Sequence, residues 1–349
     1  MSRDVARLRA YSDVSTALAL HGDRALSDLV DAGTPVGVGI GGKSTLLEAA
    51  GTPVFVKRVP LTDAEVRARS TANVFDLPTF CQYGVGLIGS PGFGAWRELA
   101  VHTMTTNWVR AGEYAGFPLL YHWRVLPDPT PLPAELADID RAVAYWDDRP
   151  QVRHRIEALR DSSASLALFL EYIPQDLPEW LGTRIETDGR ACAMVERELA
   201  AGAAFMNSRG LLHFDAHFEN IRTDGHRLYF TDYGLALSDR FDLSPAETAF
   251  FERHRSYDRG YIASYLANWL VTALYQPRRE EHAALVRAFV EGRRPEGVPE
   301  ETAAVLLRNA PVAAALSPFF RALRQESRDT PYPNGEIRRL LADRTLRGM

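Results

Sequence analysis

Along residues 1–30, apolar side chains recur at helical spacing: Val14, Ala17 and Leu18, then Leu26, Leu29 and Val30. That period predicts one or two helices. The pattern then changes. Val54-Phe55-Val56-Lys57-Arg58-Val59 is β-branched and aromatic, which predicts a strand closed by Pro60. Leu119 to Leu126 and Leu166 to Ile173 predict two further strands. Trp96 to Val109 is expected to be helical, as is Arg190 to Arg209. In the latter, Ala191, Met194, Val195, Leu199, Ala203 and Phe205 fall mostly along one side, and Gly210 stops the run. A strand over Arg227 to Phe230 comes next, and residues 245–349 are expected to be mostly helical. Residues 76–95, rich in glycine, proline and aromatics, read as a loop insertion, and residues 127–150, with many prolines and acids, as a surface excursion. Strands first and helices after predict an α+β chain with segregated lobes, not an alternating parallel sheet.

Composition narrows the class. With 349 residues, 46% of them hydrophobic, the chain suits one large two-lobed domain or two ordinary domains with a sizeable core. A net charge of -5 argues against a nucleic-acid scaffold. Cys81 and Cys192 are too few for a disulfide framework or a zinc cluster, so a reducing, cytoplasmic setting is expected. Residues 1–20 lack a long apolar core, and no run of 18 apolar residues occurs. Neither a secretory signal nor a membrane span is expected. Trp96, Trp108, Trp123, Trp146, Trp180 and Trp269 are expected to serve core or lobe packing.

The basic residues carry a sharper signal. Of 40, all but Lys43 and Lys57 are arginine. An ammonium is a compact point charge that a planar guanidinium does not copy. At least one of the two positions is therefore expected to require an ammonium.

Phosphoryl transfer from ATP needs a held and neutralised triphosphate, a bridging metal and an acceptor hydroxyl that can lose its proton in line. Asp215 and Asn220 follow an amphipathic helix closely, and Asp232 lies beyond an intervening hairpin. An aspartate can take or orient the acceptor proton. One amide and one carboxylate, completed by phosphates and water, suit Mg²⁺. Gly234 is expected to let the chain turn sharply after Asp232.

At this spacing a family becomes visible. His213-x-Asp215-x-x-x-x-Asn220 followed by Asp232-Tyr233-Gly234 resembles the catalytic loop and metal-binding triplet of the protein-kinase superfamily, which includes aminoglycoside and other small-molecule phosphotransferases. The resemblance extends over roughly residues 34–270. It implies a bilobal protein-kinase-like fold with a small β-rich N-lobe and a larger, mostly helical C-lobe. A helical extension would span 1–33, the N-lobe with its nucleotide-binding sheet and insertions 34–173, and the C-lobe with the catalytic loop 174–349.

The same resemblance implies ATP and Mg²⁺ as cofactors and assigns roles. Asp215 would be the base or hydroxyl-positioner, with His217 orienting it or lying near the phosphate. Asn220 and Asp232 would hold the metal. Lys57 would hold the α/β-phosphates, braced by Glu98, whose helix is longer and better patterned, in preference to Glu65, which is nearer in sequence. Gly39, Gly41, Gly42, Lys43 and Ser44 would belong to a loop covering the phosphates, whose amides supply donors. Backbone near Glu171 and Ile173 would hydrogen-bond adenine. His213 is expected to brace the loop.

Departures from the common protein-kinase pattern bear on the acceptor. Phe214 follows His213 where arginine is usual, and His217 stands where lysine is usual, as in the antibiotic phosphotransferases. Ser244-Pro245-Ala246-Glu247 only loosely echoes Ala-Pro-Glu. A small-molecule hydroxyl is favoured over a protein or peptide serine or threonine. A catalytically inactive nucleotide-binding scaffold is the rival from another class.

One further motif competes. Residues 37–44 fit G-x-x-x-x-G-K-S, the P-loop of a different ATPase class. That mechanism needs a long helix opening at the lysine, whereas Gly51-Thr52-Pro53 interrupts after a short run. A glycine-rich hairpin between two strands is expected instead.

Overall fold

The computed structural model describes residues 3–39, 42–84, 86, 88–128 and 132–347. The fold is α+β, and the chain divides into two units. The first comprises residues 1–173, 232–236 and 241–244; the second comprises 174–231, 237–240 and 245–349.

The first unit is built on one antiparallel sheet of five strands: β1 (Thr34–Gly39), β2 (Gly42–Ala49), β3 (Thr52–Leu61), β4 (Leu120–Pro127) and β5 (Ala164–Glu171), in the order β1-β2-β3-β5-β4. Two helices precede it, α1 (Arg3–Ala19) and α2 (Asp23–Asp31). Their periodic positions Val14, Leu18, Leu26 and Val30 are buried, as an amphipathic stripe requires. The glycine-rich run joins β1 to β2 as a hairpin, with Gly39 opposite Gly42. No long helix opens at Lys43, so the P-loop geometry is absent. Gly42 has φ +118, and a Cβ there would sit 1.8 Å from the Arg58 carbonyl oxygen, so the hairpin needs glycine.

Strand β3 runs past Pro60 to Leu61, one residue beyond the expected stop. Alternation along it sends Lys57 to one face and Arg58 to the other. A short helix, α3 (Asp63–Ala68), follows and is opened by a capping box between Thr62 and Glu65. Helix α4 (Ala95–Arg110) matches the predicted helical run.

The expected surface excursion is instead structured. It holds α5 (Ala134–Ala137) and α6 (Ile139–Tyr145), and then α7 (Pro150–Arg160), which the sequence reading did not anticipate. Leu136, Val143 and Trp146 are buried there, so dispersed apolar anchors outweigh the local excess of proline and acid. Trp123 departs from the expectation for tryptophans: it is 43% exposed, with its ring edge-on to Trp96.

The second unit begins with β6 (Gln175–Asp176), α8 (Leu177–Gly182) and α9 (Gly189–Ser208). Asp176 and Asp188 accept backbone N–H groups at the starts of α8 and α9, so these acids act as caps. Next come β7 (Leu211–Leu212), β8 (Ile221–Thr223), β9 (Leu228–Phe230) and β10 (Leu237–Ser238). They form two small antiparallel sheets, β6-β8-β9 and β7-β10. Helices α10 (Pro245–Arg253), α11 (Tyr257–Tyr275), α12 (Arg279–Val290), α13 (Glu300–Gln325) and α14 (Asn334–Arg347) complete the unit. Gly202 lets α9 lie against β9, since a Cβ there would meet the Phe230 ring at 2.1 Å. Among the described residues, α13 alone is long and apolar enough to cross a membrane; it packs against α9, α11, α12 and α14, and 44% of its apolar window is buried.

Candidate functional site

In the first unit, Lys57 is the centre of a charged cluster. Its Nζ lies 2.7 Å from Glu98 Oε1 and 2.7 Å from Asp232 Oδ1. Strand β3 carries the lysine, and α4 carries the glutamate, which is fully buried. Burial alone would lower the lysine pKa, but the charges and hydrogen bonds of Asp232 and Glu98 outweigh it and raise it, so Lys57 is an ammonium. Glu65 does not take part. It is bound by Arg155 at 2.6 Å and by the Thr62 hydroxyl at 2.8 Å.

Asp232 has φ 59, in the left-handed region. The sharp turn at the triplet is thus made by Asp232 itself. The expectation that Gly234 supplies it is corrected, because Gly234 has no positive φ. Close approach matters more at Gly234, where a Cβ would stand 3.4 Å from Phe93 and from Asp232. The Gly94 N–H donates to the Gly234 carbonyl at 3.2 Å, and the Tyr233 ring meets His102 edge-on at 4.8 Å.

The remaining nucleotide-site candidates of this unit lie on the sheet and its hairpin. Ser44 pairs across the sheet with Lys57. Lys43 Nζ is 3.0 Å from Asp128, whose carboxylate also takes Arg58 at 3.0 Å. Gly39 and Gly42 face each other at the end of the β1-β2 ladder, and Gly41 lies outside the described residues. Glu171 ends β5; its N–H donates to the Leu119 carbonyl, and its carboxylate binds Arg7 of α1 at 2.7 and 2.8 Å. Ile173 is buried at the end of the unit.

In the second unit, Asp215, His217 and Asn220 share one short loop between β7 and β8. Asn220 Nδ2 donates to the Asp215 carbonyl at 2.9 Å and reaches Asp215 Oδ2 at 3.3 Å. This spends the amide nitrogen and leaves the amide oxygen as the available ligand atom. Asp215 Oδ1 is buried and has no hydrogen-bond partner. A buried acceptor without a partner is uncommon and marks a position that function can explain. Thr231 donates from both its N–H and its hydroxyl to the Asn220 carbonyl, and Asp232 is the next residue in the chain.

His217 stands between two carboxylates, with Nε2 3.6 Å from Asp215 and Nδ1 2.9 Å from Glu219. Burial would lower its pKa, but interactions with Asp215 and Glu219 outweigh this and raise it to about 10. Glu219 is held down at about 2, first by its bond to His217. Tyr265 of α11 donates to the same Glu219 oxygen at 2.9 Å. The result is a chain of contacts from Tyr265 through Glu219 and His217 to Asp215.

No protein-family model matches the chain, and no curated protein matches it.

Sequence reasoning missed the residue that sets this loop. Asp258, fully buried on α11, accepts the His213 N–H at 2.7 Å and the Phe214 N–H at 3.0 Å. Burial pushes its carboxyl up to about 6 despite these two donors. Phe214 has φ 64, a left-handed conformation costing on the order of 1–3 kcal/mol for a non-glycine residue. The Asp258 bonds and stacking of Phe214 on Tyr257 at 4.7 Å hold it there. His213 ties the loop to Thr231 through Nε2 at 3.0 Å. An acid among the apolar residues of α11 was the available signal, since carboxylates are seldom fully buried without a partner.

Among the described residues, no group of three or more His, Cys, Asp and Glu side chains is placed to hold a metal. A hard cation bound largely by phosphates and water asks only one amide oxygen and one carboxylate of the protein.

Proposed function

We propose that this protein is a phosphotransferase that moves the γ-phosphate of Mg-ATP onto a hydroxyl group, a small molecule being the favoured acceptor, and that its fold is of the bilobal protein-kinase type. The observation carrying this reading is the double engagement of Lys57 by Glu98 and Asp232, from positions 41 and 175 residues away. A buried ammonium held by two carboxylates is poised to exchange one of them for phosphate oxygens. The unpartnered Asp215 Oδ1 supports the acceptor side of the same chemistry.

In this mechanism the acceptor hydroxyl donates to Asp215, which takes its proton as the oxygen bonds to the γ-phosphorus. The bond from that phosphorus to the β,γ-bridging oxygen breaks, and ADP leaves. Lys57 would bind the α/β-phosphates while Glu98 keeps it in place. Asn220 and Asp232 would hold Mg²⁺, which supplies charge neutralisation on the phosphates. The protonated His217 would keep Asp215 ionised and oriented. The hairpin carrying Gly39, Gly41, Gly42, Lys43 and Ser44 would cover the phosphates, and backbone near Glu171 and Ile173 would meet adenine.

The test is a transfer screen with γ-labelled ATP against hydroxylated small molecules and, separately, serine- and threonine-containing peptides, with Asp215→Ala as the blank. Label on a small molecule supports the favoured acceptor, and label on peptides alone selects a protein kinase. Intact Mg-ATP binding with neither transfer nor slow hydrolysis points to an inactive scaffold.

A further inference from the structure

The helical unit holds a cavity that these residues do not use. It measures about 470 Å³ and is walled by α9, α11, α13 and α14. That volume lies in the range of small-molecule sites. Its lining divides by chemistry. Leu199, Ile262, Leu266 and Leu341 form an apolar wall. Glu196, Arg197, Arg259 and Arg308 line the polar side, with the Glu198 carboxylate 3.6 Å from Arg197.

The polar groups are unequally engaged. Arg308 is paired with Glu196 at 2.5 Å. Arg259 is exposed and makes no hydrogen bond or ion pair among the described residues. Asn309 is fully buried. Its Nδ2 donates to Glu196 Oε1 at 2.7 Å and to the Val305 carbonyl at 2.7 Å, so the amide orientation is set by two acceptors. Asn309 Oδ1 is then left buried with no partner. A native interior seldom leaves such an acceptor unmatched.

We propose that this cavity is a second ligand site, taking a small amphiphilic organic acid. The apolar body would lie on Leu199, Ile262 and Leu266. Its acidic group would face Arg259, with Arg197 beside it. With Arg308 held by Glu196 and Arg197 3.6 Å from Glu198, the uncompensated charge at the cavity is that of Arg259, and it favours an anion.

The test uses 8-anilinonaphthalene-1-sulfonate, which combines an anilino N–H, an aromatic body and a sulfonate. Fluorescence titration of the full chain is expected to show one saturable site. Arg259→Gln should weaken binding about tenfold or more. Ala200→Trp, which fills the cavity from an exposed lining position, should abolish it. N-phenyl-1-naphthylamine, without the sulfonate, should bind about tenfold more weakly. Far-UV circular dichroism and urea midpoints of both variants should match the wild type, and because Arg259 is exposed its variant keeps the test decisive if Ala200→Trp misfolds. Absent or unsaturable binding, or equal affinity in folded variants, overturns the proposal. The titration contains no nucleotide, so its outcome is independent of the phosphotransfer reading.

Discussion

Glu98, fully buried on α4, lies 2.7 Å from the ammonium of Lys57 on β3. Asp232 is a second carboxylate 2.7 Å from the ammonium, whereas Glu98 has only the more distant His102, at 3.9 Å, beside it on α4. The pair therefore links stability to the proposed chemistry, and the two can be separated.

Lys57→Met is expected to cost about 3–5 kcal/mol, because removing one member of a buried pair strands the other's charge. Urea unfolding measures this. Lys57→Met combined with Glu98→Leu should recover most of the stability while ATP-dependent transfer stays absent. Lys43→Met should impair transfer less than Lys57→Met, since the Lys43 side chain is 32% exposed and bound to Asp128. The reverse ranking would assign the phosphate contact to the hairpin lysine.

Asp215→Ala is expected to lower transfer by about 10²–10⁴-fold, the usual contribution of a positioned base. Titration calorimetry should find Mg-ATP affinity nearly unchanged. Asp232→Ala should instead abolish the Mg²⁺ dependence of nucleotide binding. A large affinity loss in the first variant, or an unaltered Mg²⁺ titration in the second, would contradict the assigned roles.

Asp258→Asn tests the support of the loop. The carboxylate receives two backbone N–H groups, from His213 and Phe214, and an amide offers one oxygen for both. Leaving one buried N–H unmatched should cost about 1–3 kcal/mol in urea unfolding. Transfer should fall as well, because Asp215 follows directly on Phe214.

His217 makes a pH prediction. Its folded pKa, near 10, stands above the ordinary histidine value of 6.5. A raised pKa means that the folded state holds the proton more tightly. The stabilisation is complete below about pH 6.5 and is lost as pH rises through about 10. Subtracting the curve of His217→Gln from that of the wild type should isolate a decline across this window. With Glu219 largely in solvent, its size should be on the order of 1 kcal/mol. A flat difference would show that the two carboxylates do not hold the proton.

Much of the local structure was legible in the chain. The helical periods of residues 1–30 and 190–209 appear as α1, α2 and α9 because their apolar stripes repeat over several turns. The β-branched run around Lys57 appears as β3, and the α+β class follows from the order of elements. Residues 127–165 were less readable. Leu136, Val143, Trp146 and Ile156 are too scattered to form a clear period, yet each finds a buried place. Loop-like composition was outweighed by those anchors.

The candidate site divides in the same way. Asp215 and Asn220 are near neighbours in one loop, so their bond at 2.9 Å is a short-range matter, written into the spacing of the residues. The rarity of lysine marked position 57 without any structure. Helix patterning favoured Glu98 over Glu65, but packing decides it: α4 brings Glu98 to Lys57, while Arg155 of α7 claims Glu65 of α3. Asp258 left only the mark of an acid in an apolar helix, and the roles of Tyr265 and the Asn309 cavity were not legible, being products of packing between distant segments. Periodicity, turn chemistry and short spacings act over a few residues and are properties of the chain itself. Charge partners separated by tens of residues exist only once sheet register and helix packing have brought their backbones together.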